Sequence, residues 1–279
     1  MIDLPLNIDY SGKVVVVTGG AGVICSRMVR AFAQSGAKVA ILGRTVSKVQ
    51  ALAEELNGEG FICRGYEANV LDKAQLQEVH DRIVQDLGPC DVLINGAGGN
   101  HPLGTTAADH YHETREGQRS FFDLEATGEV FDLNFNGTFL PTQVFARDMT
   151  ERRSGCILNI SSVTAYIPLT KIPAYAGAKA AISNFTQWLA THFAGTGIRC
   201  NSIAPGFILA EQNRSLLMNE DGSLTPRSQK ILAGTPRGTF TDPSELIGAA
   251  LFLCDDKAAK AITGVVLPVD GGFLSYSGV

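Results

Sequence analysis

The fold is decided by residues 13–22, KVVVVTGGAG, a β-branched run that is followed at once by three glycines. The run Lys13–Thr18 predicts a short buried β-strand, and the segment Arg27–Gln34 beyond the glycines has the apolar spacing of a helix. Glycines at a strand-to-helix turn let backbone N–H groups approach a pyrophosphate at the helix N-terminus. The stretch therefore predicts a dinucleotide-binding turn. The absence of a Gly-Lys-Ser/Thr sequence argues against a P-loop NTPase.

Outward from this stretch, short apolar runs alternate with helical patterns almost to the end of the chain. The further predicted strands are Lys38–Leu42, Phe61–Arg64, Asp91–Ile94, Cys156–Ile160, Ile198–Ile203 and Val265–Pro268. The further predicted helices are Ser47–Leu56, Lys73–Leu87, Val130–Arg152, Tyr175–Ala194 and Pro243–Cys254. Apolar strands between helices of this length are typical of parallel strands buried on both faces. We therefore predict an α/β fold, a doubly wound parallel sheet of seven strands with helices on both faces, in a single domain over residues 1–279.

The composition excludes several classes of protein. The chain has 279 residues, of which 45% are apolar and 18% are charged, so it can bury a sizeable core. Its net charge of −5 argues against a nucleic-acid-binding surface but is compatible with a local site for a small anion. No apolar run approaches the length of a membrane span, and Met1–Tyr10 lacks the pattern of a signal peptide. We expect no nucleic-acid partner and no membrane association.

The six cysteines are scattered along the chain, without the Cys-x-x-Cys spacing of zinc or redox sites. Such a pattern favours buried thiols in a reducing compartment, so we expect a cytoplasmic protein. We expect no metal ion either, although residues 110–112 place two histidines close together.

Two long polar stretches interrupt the alternation, over residues 98–125 and 207–240. Long loops in compact domains are usually lids or binding loops. Both would leave the carboxyl ends of strands, where ligands bind in this architecture. We therefore expect both stretches to border an active site.

Several polar residues close to these strand ends have side chains suited to acid–base chemistry. Tyr175 and Lys179 are four residues apart in a predicted helix, so they share one face. A nearby ammonium favours the phenolate and lowers the pKa of a tyrosine toward neutral pH. Ser161 and Ser162 end the predicted strand Cys156–Ile160. Each residue alone has an ordinary explanation, as a surface pair or as turn residues.

Together these residues form one ordered pattern over almost the whole chain. The motifs are the glycine turn, NGAG at residues 95–98, DLNFNG at 132–137, Ser162 before a Tyr-x-x-x-Lys, and Pro205-Gly206. The pattern resembles the short-chain dehydrogenase/reductase family. The resemblance implies a Rossmann-type fold, an NAD(P)(H) cofactor and reversible oxidoreduction between an alcohol and a carbonyl compound.

The resemblance also implies roles for four residues. Tyr175 is the general acid in reduction and the base in oxidation, and Lys179 lowers its pKa and holds the nicotinamide ribose. Ser162 hydrogen-bonds the substrate carbonyl oxygen. Asn134 orders the water of a proton relay. The cofactor is expected to contact Gly19, Gly20, Gly22, Val23, Ile24, Arg44, Asn69, Val70, Asn95, Ala97, Gly98, Tyr175, Lys179, Pro205, Gly206 and Ile208.

The chain departs from the family pattern in three places. Val23 and Cys25 replace the last two glycines of the usual turn, Asn69 replaces an acidic residue, and Ala210 replaces a threonine after Pro205-Gly206. The cofactor choice depends on the end of the second strand, where an Asp would repel a 2′-phosphate. Arg44 follows that strand instead and can pair with a phosphate, so we predict NADP(H) in preference to NAD(H).

The substrate prediction rests on a finer resemblance. The glycine turn, the two loops and the C-terminal residues look like those of the D-mannonate oxidoreductases (fructuronate reductases) and, less closely, the gluconate 5-dehydrogenases. A sugar acid needs a cation for its carboxylate and polar groups for its hydroxyls. The predicted substrate residues are Arg214 for the carboxylate, Asn100, His101 and Gln212 for the hydroxyls, and Ser162 for the carbonyl oxygen.

Two further expectations follow from the resemblance. Family members commonly pair through the helices near Val130–Arg152 and Tyr175–Ala194, which implies a homo-oligomer, a tetramer or a dimer. The alternatives to a sugar-acid enzyme are a reductase of another carbonyl compound (acyl, steroid or small ketone) and a dinucleotide-binding protein without turnover.

Overall fold

The computed structural model describes residues 8–210 and 213–278. Seven strands form one sheet in the order β3-β2-β1-β4-β5-β6-β7, and every neighbouring pair is parallel. The strands are β1 Val14–Thr18, β2 Lys38–Gly43, β3 Ile62–Glu67, β4 Val92–Asn95, β5 Gly155–Ile160, β6 Ile198–Pro205 and β7 Val266–Val269. This sheet confirms the predicted doubly wound α/β fold.

Helices cover both faces of the sheet and bury two apolar clusters. The helices are α1 Val23–Gln34, α2 Val46–Gly58, α3 Lys73–Asp86, α4 Thr127–Phe131, α5 Gly137–Arg152, α6 Pro173–His192, α7 Arg214–Leu217, α8 Pro226–Ala233 and α9 Ile247–Cys254. Helices α1, α2 and α9 pack on one face, and α3, α5 and α6 pack on the other. Alternate residues of β1 serve the two clusters, with Val15 and Val17 in the first and Val14 and Val16 in the second.

The structure corrects three predicted helix boundaries. The segment Val130–Arg152 is not one helix, because a π-helical turn over Asp132–Asn136 separates α4 from α5. Helix α1 begins at Val23, since the residues that replace the usual glycines enter its first turn. The segment Pro243–Cys254 begins with a 3₁₀ turn over Pro243–Leu246 before α9.

The two polar stretches lie where the sheet topology puts them, after the carboxyl ends of β4 and β6. Residues 98–125 contain three 3₁₀ turns, and residues 207–240 contain α7 and α8. Across the described residues, none of the helices combines the length and the apolar character that crossing a membrane requires.

Candidate active site

The glycine turn after β1 leaves a helix end open. Gly19 has φ +62°, and a Cβ on it would lie 3.0 Å from the Ala97 backbone. Gly22 is the N-cap of α1, so no side chain accepts hydrogen bonds from the first N–H groups of that helix. Unpaired N–H groups at the positive end of a helix dipole favour a phosphate group.

Gly20 has a packing role that the sequence did not indicate. A Cβ on Gly20 would lie 2.8 Å from the Ile41 side chain and 3.0 Å from the Val17 carbonyl oxygen. Gly20 therefore lets the turn pack closely on β2, and it faces the sheet rather than a ligand.

A cavity of about 300 Å³ opens beside this turn, and we call it the glycine-turn cavity. Its lining residues include the predicted Gly19, Gly22, Val23, Ile24, Arg44, Ala97 and Gly98. The other lining residues are Ala21, Cys25, Gly43, Thr45, Lys48, Val49 and Gly96. The cavity thus joins the helix end, the end of β2 and the end of β4, as a dinucleotide site requires.

Three other predicted cofactor residues lie away from this cavity. The buried Asn95 donates hydrogen bonds to Thr142 Oγ1 at 3.0 Å and to Asn159 Oδ1 at 2.9 Å, so its side chain ties β4 to its neighbours. Val70 is buried, and its side chain would meet a Cβ on Gly137 at 2.9 Å. Asn69 is exposed and accepts a hydrogen bond from the N–H of its near neighbour at position 71. Position in sequence alone did not show which way these side chains turn.

Two cations line the adenosine side of the glycine-turn cavity. Arg44 and Lys48 are both exposed, Arg44 just before the N-cap of α2 and Lys48 in its first turn. Neither has an ion pair within residues 8–210 and 213–278. Lys48 was not predicted from the sequence, although its spacing of four residues from Arg44 was a usable signal.

A second cavity of about 300 Å³ continues from the first, and we call it the tyrosine cavity. The two cavities share Ile24, Gly96 and Gly98. The tyrosine cavity is also lined by the predicted residues Ser162, Tyr175, Lys179, Pro205, Gly206 and Ile208. Residues from the ends of β4, β5 and β6 and from α6 therefore meet at one cleft.

Lys179 is buried beneath this cleft. Its Nζ donates a hydrogen bond to the Ile160 carbonyl oxygen at 2.8 Å and lies 5.5 Å from the centre of the Tyr175 ring. Burial lowers the pKa of the Lys179 ammonium to about 8. A lysine held in this state can exchange a proton near neutral pH.

Tyr175 and Ser162 both line the tyrosine cavity. Burial raises the pKa of the Tyr175 phenol above its ordinary value, and hydrogen bonding with the Ser162 hydroxyl lowers it by a smaller amount. The expected lowering by Lys179 does not determine the direction here, because the ammonium is fixed at a carbonyl oxygen of β5 and is itself destabilised by burial. Ser162 Oγ also accepts a hydrogen bond from the Thr164 N–H at 3.2 Å, which fixes its position.

Asn134 lies in the π-helical turn and is fully buried. Its Nδ2 donates hydrogen bonds to the Gly99 carbonyl oxygen at 2.7 Å and to the Val130 carbonyl oxygen at 2.8 Å. Its Oδ1 accepts a hydrogen bond from the Gly99 N–H at 3.2 Å. The side chain thus holds the backbone after β4 in place, and its predicted role in a water relay stays a prediction. π-helical turns are frequent at functional sites.

Ser162 lines the tyrosine cavity, but the other predicted substrate residues that the structure describes lie outside it. Asn100 donates to Thr105 Oγ1 at 2.9 Å, and His101 Nδ1 accepts from the Leu103 N–H at 3.1 Å. Both side chains therefore organise their own loop. Arg214 is exposed at the start of α7 and does not line the cavity. Gln212 lies outside the described residues.

The sequence did not identify Arg227, which lines the tyrosine cavity from α8. The same cavity has an apolar wall that includes Leu169, Phe207, Leu216, Leu217 and Ile231. No local pattern marks Arg227, because its direction depends on how two short helices pack over the sheet.

The residues present fit a nicotinamide dinucleotide. Glycines line the cavity beside the turn, and position 98 has no room for a side chain, because a Cβ on Gly98 would lie 2.6 Å from Asn134 Oδ1. The open N-terminus of α1 suits a pyrophosphate, and the cleft leads from there to Tyr175. Gly19, Gly22, Ala97 and Arg44 would hold the adenosine half, and Lys179 and Pro205 the nicotinamide half.

Comparison with known proteins agrees with this fold. The family model for short chain dehydrogenases matches residues 13–221 of the chain. The chain therefore belongs to the short-chain dehydrogenase family, and it is an NAD(P)-dependent oxidoreductase.

Three proteins are similar to this chain over almost its whole length. An oxidoreductase of Bacillus subtilis named UxuB, itself uncharacterised, is 49% identical over 99% of this chain and 100% of its own. A Haemophilus influenzae protein, named a candidate D-mannonate oxidoreductase and solved with NAD bound, has a TM-score of 0.95 at 48% identity, covering 99% of this chain and 100% of its own. A gluconate 5-dehydrogenase of Burkholderia cenocepacia in complex with NADP and tartrate has a TM-score of 0.82 at 29% identity, covering 96% and 97%.

Proposed function

We propose that this oxidoreductase interconverts a secondary alcohol and a ketone on a sugar acid, of the D-mannonate/D-fructuronate or gluconate/5-ketogluconate type. The observation that carries the proposal is the joining of Ser162, Tyr175 and Lys179 in one cleft that continues into the glycine-turn cavity. The sugar-acid assignment is supported by a cation, Arg227, on the wall of that cleft. The names of the similar Haemophilus and Burkholderia proteins point to the same substrate class.

The chemistry of each residue follows from its surroundings. In reduction, the Tyr175 hydroxyl gives its proton to the carbonyl oxygen of the substrate, because burial keeps the phenol protonated at neutral pH. Ser162 Oγ holds that oxygen by a hydrogen bond. Lys179, which lies below the tyrosine, can supply a proton to replace the one that Tyr175 has given. The bound cofactor supplies or accepts the hydride. Asn134 holds the Gly99 backbone in place at the edge of the cleft.

We propose NADP(H) as the preferred cofactor. Arg44 and Lys48 line the glycine-turn cavity, and β2 ends in Gly43 without a carboxylate that would repel a 2′-phosphate. The Haemophilus relative carries NAD, which makes this choice a property to be measured on this chain. The ratio of kcat/KM for NADPH and NADH measures it, and a strong preference for NADH would contradict the proposal.

The test of the substrate class follows absorbance at 340 nm. Purified protein with NADPH or NADH is offered D-fructuronate, 5-keto-D-gluconate and a panel of neutral and acyl ketones. A much higher kcat/KM with a keto sugar acid than with any neutral ketone is the expected result. Oxidation with neutral or acyl ketones alone would support the second candidate, a reductase of apolar carbonyl compounds. The apolar wall formed by Leu169, Phe207, Leu217 and Ile231 is the observation that favours this candidate.

A Tyr175→Phe variant separates an enzyme from a dinucleotide-binding protein without turnover. The variant lacks the proton donor but keeps the ring, so it should bind the cofactor as the wild type does and lose nearly all turnover. Fluorescence titration of the reduced cofactor measures the binding. Tight binding by a wild-type protein that reduces no carbonyl compound would support the alternative.

We also propose a cytoplasmic location and a homo-oligomeric state. The location is supported by six buried cysteines, none of which forms a disulfide in the described residues that contain them all. The oligomer is supported by the exposed Trp188 and His192 on α6 and the half-buried Phe139 on α5.

A further inference from the structure

We infer that Arg227 binds the carboxylate of the substrate and thereby selects acids over neutral ketones. The inference rests on the proposed function and assigns the residue that reads the substrate class. It replaces Arg214, the cation that the sequence favoured.

Arg227 is an unpaired cation on the wall of the reaction cleft. It is the second residue of α8 and is half-buried. Over residues 8–210 and 213–278 its guanidinium has neither an ion pair nor a hydrogen bond to the protein. A half-buried guanidinium loses part of its hydration, so an anion that reaches it is bound more strongly than at an exposed cation. Its planar donors also match the two oxygens of a carboxylate.

A neighbouring cavity of about 360 Å³ adjoins the tyrosine cavity, and we call it the lysine cavity. The two cavities share Arg227, Ile231, Leu169 and Phe207. Arg227 therefore stands at the boundary between the reacting groups and a second open space. A six-carbon acid whose ketone lies at Ser162 and Tyr175 can extend its far end toward this boundary, since pockets of this size hold small ligands.

The lysine cavity adds positive charge beside Arg227. Asp109, from the loop after β4, lies 3.8 Å from Lys171 Nζ and 3.6 Å from Lys230 Nζ, and it accepts a hydrogen bond from Thr170 Oγ1 at 2.9 Å. These contacts hold the pKa of the Asp109 carboxyl below its ordinary value, the Thr170 hydrogen bond most of all. One carboxylate is thus shared by two ammonium groups, and the cluster with Arg227 keeps a net positive charge in a chain whose overall charge is −5.

Arg214 provides a matched control. It belongs to the same polar stretch, carries the same side chain and is exposed at the start of α7. Helix α7 instead presents Leu216 and Leu217 to the tyrosine cavity. A variant at Arg214 changes the net charge equally without touching the cleft.

The experiment compares Arg227→Gln, Arg227→Lys and Arg214→Gln with the wild type. The substrates are D-fructuronate and D-fructose. D-Fructuronate carries a carboxylate where D-fructose has a hydroxymethyl group. Arg227→Gln should lower kcat/KM for D-fructuronate at least about tenfold relative to D-fructose, which corresponds to about 1.4 kcal/mol. Arg227→Lys should retain an intermediate preference, because it keeps the charge but loses the paired donors. Arg214→Gln should leave both values within about twofold, as expected of exposed positions.

A binding measurement keeps this test separate from the test of the proposed function. Calorimetry with oxidised cofactor present gives the Kd of D-mannonate and of its neutral counterpart, D-mannitol. Arg227→Gln should weaken D-mannonate alone. Equal losses for both ligands, or the same behaviour in the Arg227 and Arg214 variants, would overturn the inference, as would a wild type that binds the two ligands equally. A wild type that binds D-mannonate but reduces only neutral ketones would contradict the proposed substrate. In that case the comparison of the Arg227 and Arg214 variants would still test whether Arg227 binds the carboxylate.

Discussion

The Cys25 side chain packs directly against the backbone of Gly96. Cys25 stands where the family turn usually has glycine, and its sulfur fills the space that a Cβ on Gly96 would need. The side chain is buried beside the glycine-turn cavity, and burial raises the pKa of the Cys25 thiol to about 12. The thiol therefore stays protonated at neutral pH and acts as an apolar filler.

Gly96→Ala should destabilise the protein by about 1–3 kcal/mol, because its methyl group would overlap the Cys25 sulfur. The same substitution in a Cys25→Ala background should cost clearly less, since the sulfur is gone. Urea unfolding of the four proteins measures the coupling as a double-mutant cycle. Gly177→Ala is the control, because a Cβ there has no neighbour within 4 Å and alanine favours the helix. Additive costs at positions 25 and 96 would contradict this account.

At the residue scale, the sequence predicted the residues whose role follows from their spacing in the chain. It missed the residues whose role depends on where the folded chain points their side chains. Ser162, Tyr175 and Lys179 lie together because strand β5 and helix α6 bring them there. Asn95 turns into the sheet, although its neighbours at 96–98 line the cleft. The choice between Arg214 and Arg227 depends on the packing of two short helices, which no local pattern determines.

At the scale of elements, α3 and α5 are joined by a buried polar contact. His80 Nε2 lies 2.9 Å from Asp148 Oδ1, and its Nδ1 lies 2.9 Å from Asp81 Oδ1. Asp148 also accepts a hydrogen bond from the Cys90 N–H at 2.8 Å. The hydrogen bond to Asp148 raises the pKa of His80, and the Asp81 carboxylate adds to the rise. The contact therefore links two helices to the turn before β4.

His80→Gln should destabilise the protein more at pH 5.5 than at pH 8.5. Because the pKa of folded His80 lies above its ordinary 6.5, protonated His80 contributes its full stability below that value. The contribution disappears as pH rises through the raised pKa. We expect a loss of about 2 kcal/mol at pH 5.5, in the range of a hydrogen bond between charged groups. Urea unfolding at both pH values measures it, and a loss that is equal or larger at pH 8.5 would contradict the assignment.

The elements themselves were predictable to different degrees. The strands β1, β2 and β5 lie within one residue of the predicted runs, because a short apolar run bounded by glycine or serine has few alternatives. The π-helical turn before α5 was not predictable. Its buried Asn134 bonds to Gly99, which is 35 residues away in the chain and comes close only in the folded protein.

At the scale of the whole molecule, the described residues leave one face of the α5–α6 layer uncovered. Trp188 is 53% exposed on α6, and its ring stacks on His192 with centroids 4.5 Å apart. Beneath Trp188 the buried Phe185 and the half-buried Phe139 continue the ring contacts toward α5. Because Trp188 is exposed rather than part of the core, we expect it to contact another subunit.

Light scattering after gel filtration should therefore show a dimer or tetramer for the wild type and smaller species for Trp188→Glu. A charge placed on an aromatic contact loses its hydration on association, so the complex weakens. Phe122→Glu is the matched control, because Phe122 is 76% exposed on the loop after β4 and lies outside this surface. A monomeric wild type, or equal effects of the two variants, would contradict the prediction.

The positive cluster around Arg227 has a further consequence, for the approach of substrate. The surface of the molecule as a whole repels anions, since the chain carries a net charge of −5. At physiological ionic strength the Debye length is about 8 Å, so distant acidic residues are screened while the lysines and Arg227 at the cleft still attract an acid that reaches its mouth. In dilute buffer the screening is weaker, and the repulsion by the whole surface extends further into the solution. The positive cluster therefore attracts an anionic substrate only over the last few ångströms before it binds.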